Sequence, residues 1–393
     1  MNITKKHKVL ILSGDLGDGH KQAARAILES SQLNGSDVEA TVVDFMEWTH
    51  PHLHTLGRSL YIQWIKMFPS VYGYLFEKTR TDNSFSRLSK RIRMFAFKRM
   101  LQLLEDVQPT VVVCTFPGAA AAMSLLKAHG HTDLPTVTVI TDYTDHSYWI
   151  HPYTDKYLVG SDHVREALIA QRVPASRITV TGIPICLEFA RSMDRSQLRD
   201  KHGLEPSLPT VLIMGGGLGM ISRAFIQQLQ SDSRLKPVQF VIVCGRNEKL
   251  QAKLSAELKH DSHRFRVTGF VDYVHELMAL SDLIITKPGG LTTSEALATE
   301  LPMLLYKPLP GQEQDNAAFL VSAGAAVQAN DEADLLGLLA ELTASPEVLH
   351  AISAKAKLHQ NKTASFQAMR TILNTTNVVP APRRIGRVVY AEV

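Results

Sequence analysis

The sequence predicts an α/β protein of two Rossmann-like domains, and three observations carry that prediction. Short β-branched runs alternate with helical patterns along the chain. Each half opens alike, with a strand, a glycine loop and a helix. A polar stretch without a strand run separates the halves, and 393 residues are more than one domain usually holds.

In the first half the strand runs are KVLIL, EATVVDF, TVVVCTF, TVTVITDY, KYLVGS and RITVTGIP. In the second they are TVLIMGG, QFVIVCG, FRVTGF, LIITKPGG and MLLYKP. Their near-continuous hydrophobicity suits strands covered on both faces, and the intervening helices imply right-handed crossovers in parallel sheets. Residues 191–209 read as the connection, 365–376 as a helix, and the Pro/Arg-rich stretch after Val378 as a loosely held tail. The expected division is 1–190, 191–362, and a closing helix and tail at 363–393 whose helix crosses back toward the first domain. Such domains would face each other across a cleft, with a site at each sheet's carboxyl edge.

Composition narrows the class. Hydrophobic residues at 45% and charged residues at 20% suit a globular protein, and a net charge of +4 is too small for wholesale nucleic-acid binding. Cys114, Cys186 and Cys244 are an odd set without C-x-x-C spacing, which argues for a reducing cytosol and against zinc or disulfides. His50, His52 and His54 form an H-x-H-x-H run, but Pro51 interrupts it and no cysteine or carboxylate cluster accompanies it. It reads as a loop, not a metal site. The N-terminal apolar run is too short for a signal peptide. No stretch approaches the ~20 apolar residues that span a bilayer, so membrane contact is expected to be peripheral.

Three glycine-bearing segments mark the candidate sites. The first, KVLILSGDLGDGHKQAARAI from Lys8 to Ile27, ends its loop in His20 where a phosphate loop would carry Lys, and it contains Asp15 and Asp18. A nicotinamide site would want G-x-G-x-x-G here, which Gly14, Gly17 and Gly19 do not provide. The second, TVLIMGGGLGM, places Gly215, Gly216, Gly217 and Gly219 after a strand, where bare backbone approaches a ligand or simply turns tightly. The third, TKPGGLTTSEAL, sets Gly289 and Gly290 before a helix whose first turn carries Thr292, Thr293, Ser294 and Glu295. The hydroxyls suit capping; the carboxylate suits either a ribose diol or the helix dipole. Beyond it, KPLPGQEQDNAAFL sets Gln312, Glu313, Asp315 and Asn316 at a helix start, a density of amides and carboxylates that suits sugar hydroxyls.

The ordered set MGGGLGM, CGRN, KPGGLTTSEAL and PLPGQEQDNAAFL resembles the processive diacylglycerol glucosyltransferases of bacteria and, more distantly, plant monogalactosyldiacylglycerol synthases. LSGDLGDGH, TDYTDHSYWIHPYTDKYLVGSDHV and VTGIPI are similar to the same family's acceptor domain. The resemblance runs through about Leu320. It implies the two-domain glycosyltransferase fold called GT-B, inverting transfer from a UDP-hexose, diacylglycerol as acceptor, and no essential metal or other cofactor. By motif, Gly215, Gly216, Gly217 and Arg246 would face the diphosphate, with Glu295 on the ribose. Gln312 and Glu313 would hold the hexose, with Asn316 near the phosphates. Arg246 and helix N-termini can take the place of a metal as positive partners of departing UDP.

His20 then has a reason. A lipid alcohol is a poor nucleophile, and a base should take its proton as the bond to the sugar forms. Imidazole, with an ordinary pKa of about 6.5, is substantially neutral in the cytosol, whereas a lysine would be protonated. Asp15 or Asp18 could orient the ring. The alternative has His20 capping a helix and Asp142 as the base. The resemblance puts Gly19, His146, Trp149 and His151 on the acceptor side, although Trp149 equally suits core packing.

Residues 58–99 hold ten lysines and arginines against Glu77 and Asp82, interleaved with aromatics. Trp64, Lys66, Arg91 and Arg93 belong to this set, and the pattern suits docking on anionic lipid. With no RNA-binding signature, nucleic acid is not an expected partner. The expected location is the cytoplasmic face of the cell membrane. Competing functions are a UDP-galactose transferase, a lipid-linked N-acetylglucosaminyltransferase and a UDP-sugar epimerase.

Overall fold

The computed structural model describes residues 6–15, 17–33, 37–51, 67, 69–81, 97–216, 221–235, 237–261 and 264–379. The chain folds into two compact units, Met1–Pro184 with Ala364–Val393, and Ile185–Thr363.

The first unit holds a six-stranded sheet of β1 (His7–Ser13), β2 (Val38–Asp44), β3 (Val111–Cys114), β4 (Thr136–Val139), β5 (Lys156–Val159) and β6 (Ile178–Val180). Its order is β2-β1-β3-β4-β5-β6, every pairing is parallel, and Leu12 lies opposite Cys114. Every residue of β3 and β4 is buried, β3 through an unbroken apolar run and β4 with Thr136 and Thr138 alternating with its valines, while edge strand β2 alternates toward solvent. β1 and β3 are neighbours although β2 lies between them in sequence. The loops leaving their carboxyl ends therefore diverge and open a crevice.

The second unit repeats the plan with β7 (Thr210–Met214), β8 (Gln239–Val243), β9 (Phe265–Thr268), β10 (Leu283–Thr286), β11 (Met303–Tyr306) and β12 (Ala326–Ala329), ordered β12-β11-β10-β7-β8-β9. Here the crevice lies between β7 and β10, where Met214 faces Thr286 in register. β12 is absent from the sequence expectation because AVQA is short and alanine-rich, with weak intrinsic β preference. Its pairing with β11 makes it a strand.

The division falls at Pro184/Ile185, before the expected 190/191. The stretch read as a connection contains the helix Arg195–Lys201, capped by Asp194 and tied into the second unit by Arg195 and Arg199 on Asp282. The helix Ala364–Leu373 buries Ala368, Met369 and Ile372 among Val9, Ile11, Val111 and Val113 of the first sheet. The chain after it is anchored rather than loose as far as Val379. The backbone amides of Val378 and Val379 donate to Asp155 at 2.8 and 2.9 Å. Asp155 in turn pairs with Lys127 at 2.7 Å, both side chains fully buried. Residues 380–393 lie outside the described residues.

Candidate active site

In the first unit, the loop after β1 passes Gly14 and Asp15 into the helix Asp18–Gln32, whose third residue is His20. Gly14 is required by packing rather than by a phosphate. A Cβ there would lie 2.6 Å from the ring of Phe116, and one at Gly118 would meet the same ring equally closely. Wedged between these glycines beyond the carboxyl end of β3, Phe116 stands edge-on to His20 with centroids 5.5 Å apart. Trp149 makes a second edge contact at 5.9 Å. The Thr115 hydroxyl donates to the His20 carbonyl at 3.1 Å, and Thr141 Oγ1 lies 3.1 Å from His20 Nδ1.

Burial in this setting pushes the imidazole down to about 4, against the opposing effect of a hydrogen bond to the Thr115 backbone. The ring is therefore neutral at neutral pH, the form a base must have. Asp15, expected as a possible orienting group, is buried and pairs with Lys21 at 2.8 Å. Asp18 and Gly19 stand half-buried in the first helical turn. Asp142, the alternative base, is half-buried one residue beyond Thr141.

In the second unit, the loops after β7, β8, β10 and β11 share one carboxyl edge. Gly215 is buried, and Gly216, at φ 72°, occupies the left-handed region that favours glycine. Arg246 is exposed after β8, its guanidinium 4.9 Å from the ring centre of Phe270. After β10, Gly289 caps the helix Gly290–Ala298 without a side-chain hydrogen bond. The Thr293 and Ser294 hydroxyls do not cap it, as their positions suggested. They bond back to the carbonyls of Gly289 and Gly290, so the first-turn amides remain available to an anion. Thr292 is half-buried in the same turn.

The carboxyl of half-buried Glu295 makes no hydrogen bond or ion pair among the described residues, and burial pushes it up to about 8. A ligand hydroxyl would supply the donor that this carboxyl lacks. Gly311, at φ 98°, turns the chain into the helix Gln312–Ser322, and its amide donates to Gln314 Oε1 at 3.2 Å. Gln312 is the first residue of that helix. Glu313 accepts from Leu309 N at 2.7 Å and pairs with Lys287 at 3.2 Å. Asn316 is fully buried and donates to the Pro288 carbonyl at 2.9 Å, joining the last two loops.

Two family models match the chain: monogalactosyldiacylglycerol (MGDG) synthase over residues 20–185 and the glycosyltransferase family 28 C-terminal domain over 210–370. The processive diacylglycerol beta-glucosyltransferase of Staphylococcus epidermidis is 32% identical over 357 residues, covering 90% of this chain and 89% of the relative. The chain belongs to the processive diacylglycerol β-glucosyltransferase family. The Bacillus subtilis protein of that name is 31% identical over 389 residues, covering 98% of this chain and 99% of its own length. In fold, the chain is similar to UDP-GlcNAc 2-epimerase from Neisseria meningitidis bound to UDP-GlcNAc. That likeness has a TM-score of 0.60 and 16% identity over 94% of this chain and 100% of the other.

In this member of the processive diacylglycerol β-glucosyltransferase family, two residues expected on the acceptor side serve the packing of the first unit. His146 is buried: its Nδ1 accepts from Tyr148 N at 3.1 Å and its Nε2 faces the Phe76 carbonyl at 2.8 Å. With both nitrogens engaged, it ties the helix Pro69–Thr79 to the loop before β5. Trp149 is 0% exposed, so it packs the core behind His20 instead of presenting a face to lipid. His151 is also buried. Gly217, Trp64, Lys66, Arg91, Arg93, His52 and His54 lie outside the described residues.

Sequence reasoning missed Thr141, Phe116 and Lys287. A threonine at a strand end and a phenylalanine in TVVVCTF read as ordinary sheet residues. Lys287 had a usable signal, a lone cation immediately after a buried strand at the carboxyl edge.

Proposed function

We propose that this chain transfers glucose from UDP-glucose to the free hydroxyl of diacylglycerol with inversion at the anomeric carbon, and then extends the same lipid. What carries the proposal is identity of about 30% to enzymes of that name across both units. The first unit supplies the acceptor chemistry, with His20 as the base in preference to Asp142. The acceptor O–H proton passes to His20 while the oxygen's electron pair forms the bond to the sugar. The bond from that carbon to UDP breaks, and its electrons leave with the β-phosphate.

The second unit supplies the donor chemistry. Gly215, Gly216 and the uncapped first turn at Gly290 offer amides to the diphosphate, and Arg246 and Lys287 offer charge. Glu295 takes the ribose, and Gln312 and Glu313 take the hexose. On this proposal the reaction needs no essential metal, because those cations and amides meet the charge that develops on UDP. The galactosyl alternative draws on a family model confined to residues 20–185, which holds none of these donor loops.

Among the described residues no single helix is long and apolar enough to cross a membrane. We place the protein peripherally on the inner face of the cell membrane. Supporting this, Met67, Val71 and Tyr74 lie at helical spacing and are 69%, 48% and 61% exposed.

The test incubates purified protein with diacylglycerol vesicles and each UDP-hexose in turn, followed by lipid analysis. Mono- and diglucosyl lipid from UDP-glucose is expected. Galactolipid as the main product would reassign the donor. Conversion of UDP-sugar in buffer without acceptor would point to an epimerase.

A further inference from the structure

We infer that Thr141 is the positioning residue of the first site: its hydroxyl holds His20 Nδ1 and thereby leaves Nε2 as the nitrogen that accepts the proton. The inference rests on His20 being the base. Thr141 is 3% exposed just past β4, so its hydroxyl faces protein rather than bulk water, and Oγ1 lies 3.1 Å from Nδ1.

A neutral imidazole carries its one N–H on one nitrogen or the other, and the ring's partners decide which is favoured: the Thr141 hydroxyl at Nδ1, and the Thr115 backbone, to which the ring also hydrogen-bonds. If Nδ1–H donates to the Thr141 oxygen, Nε2 keeps its lone pair and can take the acceptor's proton. If the hydroxyl donates to Nδ1, Nε2 carries the proton and cannot act. Only the first arrangement serves through the whole step. When the acceptor O–H breaks and its proton moves to Nε2, the Nδ1–H bond to Thr141 persists in the imidazolium, and no second transfer is needed. The electron pair left on the acceptor oxygen makes the glycosidic bond, UDP departs with the pair from the broken bond, and His20 later returns its proton to water.

A hydroxyl also suits this site better than a carboxylate. A negative group on Nδ1 would favour imidazolium before substrate arrives, whereas a neutral oxygen orients the ring without charging it. Asp15, the buried carboxylate of the preceding loop, is paired with Lys21 instead.

Thr141→Val keeps the shape and removes the acceptor; Thr141→Ser keeps the acceptor. A neutral hydrogen bond is worth about 1 kcal/mol, so kcat for glucosyl transfer to diacylglycerol vesicles should fall roughly fivefold in the valine variant. KM for UDP-glucose should hold, and serine should restore most of the rate. In protein labelled with ¹⁵N-histidine, with the His20 signal assigned by its loss in His20→Asn, the wild-type ring should show Nδ1–H. The valine variant should shift toward Nε2–H. Unchanged kcat in Thr141→Val, or an Nε2–H ring in the wild type, overturns the inference. Failure of the wild type to glucosylate any lipid sinks the proposed function instead, and the tautomer spectrum still decides the role of Thr141.

Discussion

An imidazole held down to about 4 changes its protonation far below the neutral range, and the cause is burial beside Phe116 and Trp149. The pH profile of kcat/KM reports the free enzyme's base. It should therefore stay flat on the acid side of neutrality and fall only as pH approaches about 4; a bend near the ordinary value of 6.5 would mean that His20 is not the group titrating. Stability moves with the same proton. Below 6.5 the unfolded chain takes it up while the folded chain refuses it until about 4, so stability is fully present above 6.5 and drains away through that window. His20→Ala should lack this slope in denaturant titrations at successive pH values, and its turnover should be lower by about a hundredfold or more, the low end of what a general base contributes. The glycine spacing and the histidine after it were legible because few other jobs need them together. Depth was not legible. HSYWIH reads alike whether Trp149 lines a surface or fills a core, since a lone aromatic motif does not say what packs over it.

Strands were the most legible elements, because a strand covered on both faces must be apolar at nearly every position. β12 escaped because neighbour pairing, not its own residues, makes it a strand. The Lys127–Asp155 pair escaped for a related reason. Twenty-eight positions apart, one lies on the helix Pro117–Ala128 and the other just before β5, and nothing local marks either as buried. The structure shows four further ties at this pair: Thr136 N, Val378 N and Val379 N donate to Asp155, and Lys127 donates to Asn377 Oδ1. Asp155→Ala would strand a buried ammonium and release the chain after the last helix. Breaking such a pair typically costs about 3–5 kcal/mol, a large share of the ~5–15 that holds a domain folded. Urea titration should show that loss, together with protease cleavage near residues 374–379. The double replacement Lys127→Met with Asp155→Leu should lose less, because it leaves no charge unpaired. A single variant as stable as the wild type would show the pair to be dispensable.

For the whole molecule to act on lipid, a surface must hold it at the bilayer, and the described residues already divide the basic aromatic segment into parts. Phe76 belongs to the buried core, and Phe97 packs among His129 and His131. Arg80 is neutralised by Glu77 and Asp145, at 2.9 and 2.8 Å, so it adds little attraction to anionic lipid. Among the described residues of the segment, the apolar line of Met67, Val71 and Tyr74 faces outward, as do Lys78, Lys98 and Arg99. Binding should therefore have two components. The Coulombic part, from cations elsewhere in residues 58–99, should fade as salt rises. The apolar part should remain, because burial of hydrocarbon does not depend on screening. Half-burying Val71 and Tyr74 contributes about 1 kcal/mol each, so replacing both with serine should weaken vesicle binding roughly thirtyfold at high salt. The same variant should keep its kcat on detergent-dispersed diacylglycerol, since neither residue belongs to the His20 site. Sedimentation with anionic and neutral vesicles across a salt series separates the two components. If the serine variant binds as tightly as the wild type at high salt, this line of side chains is not what meets the membrane.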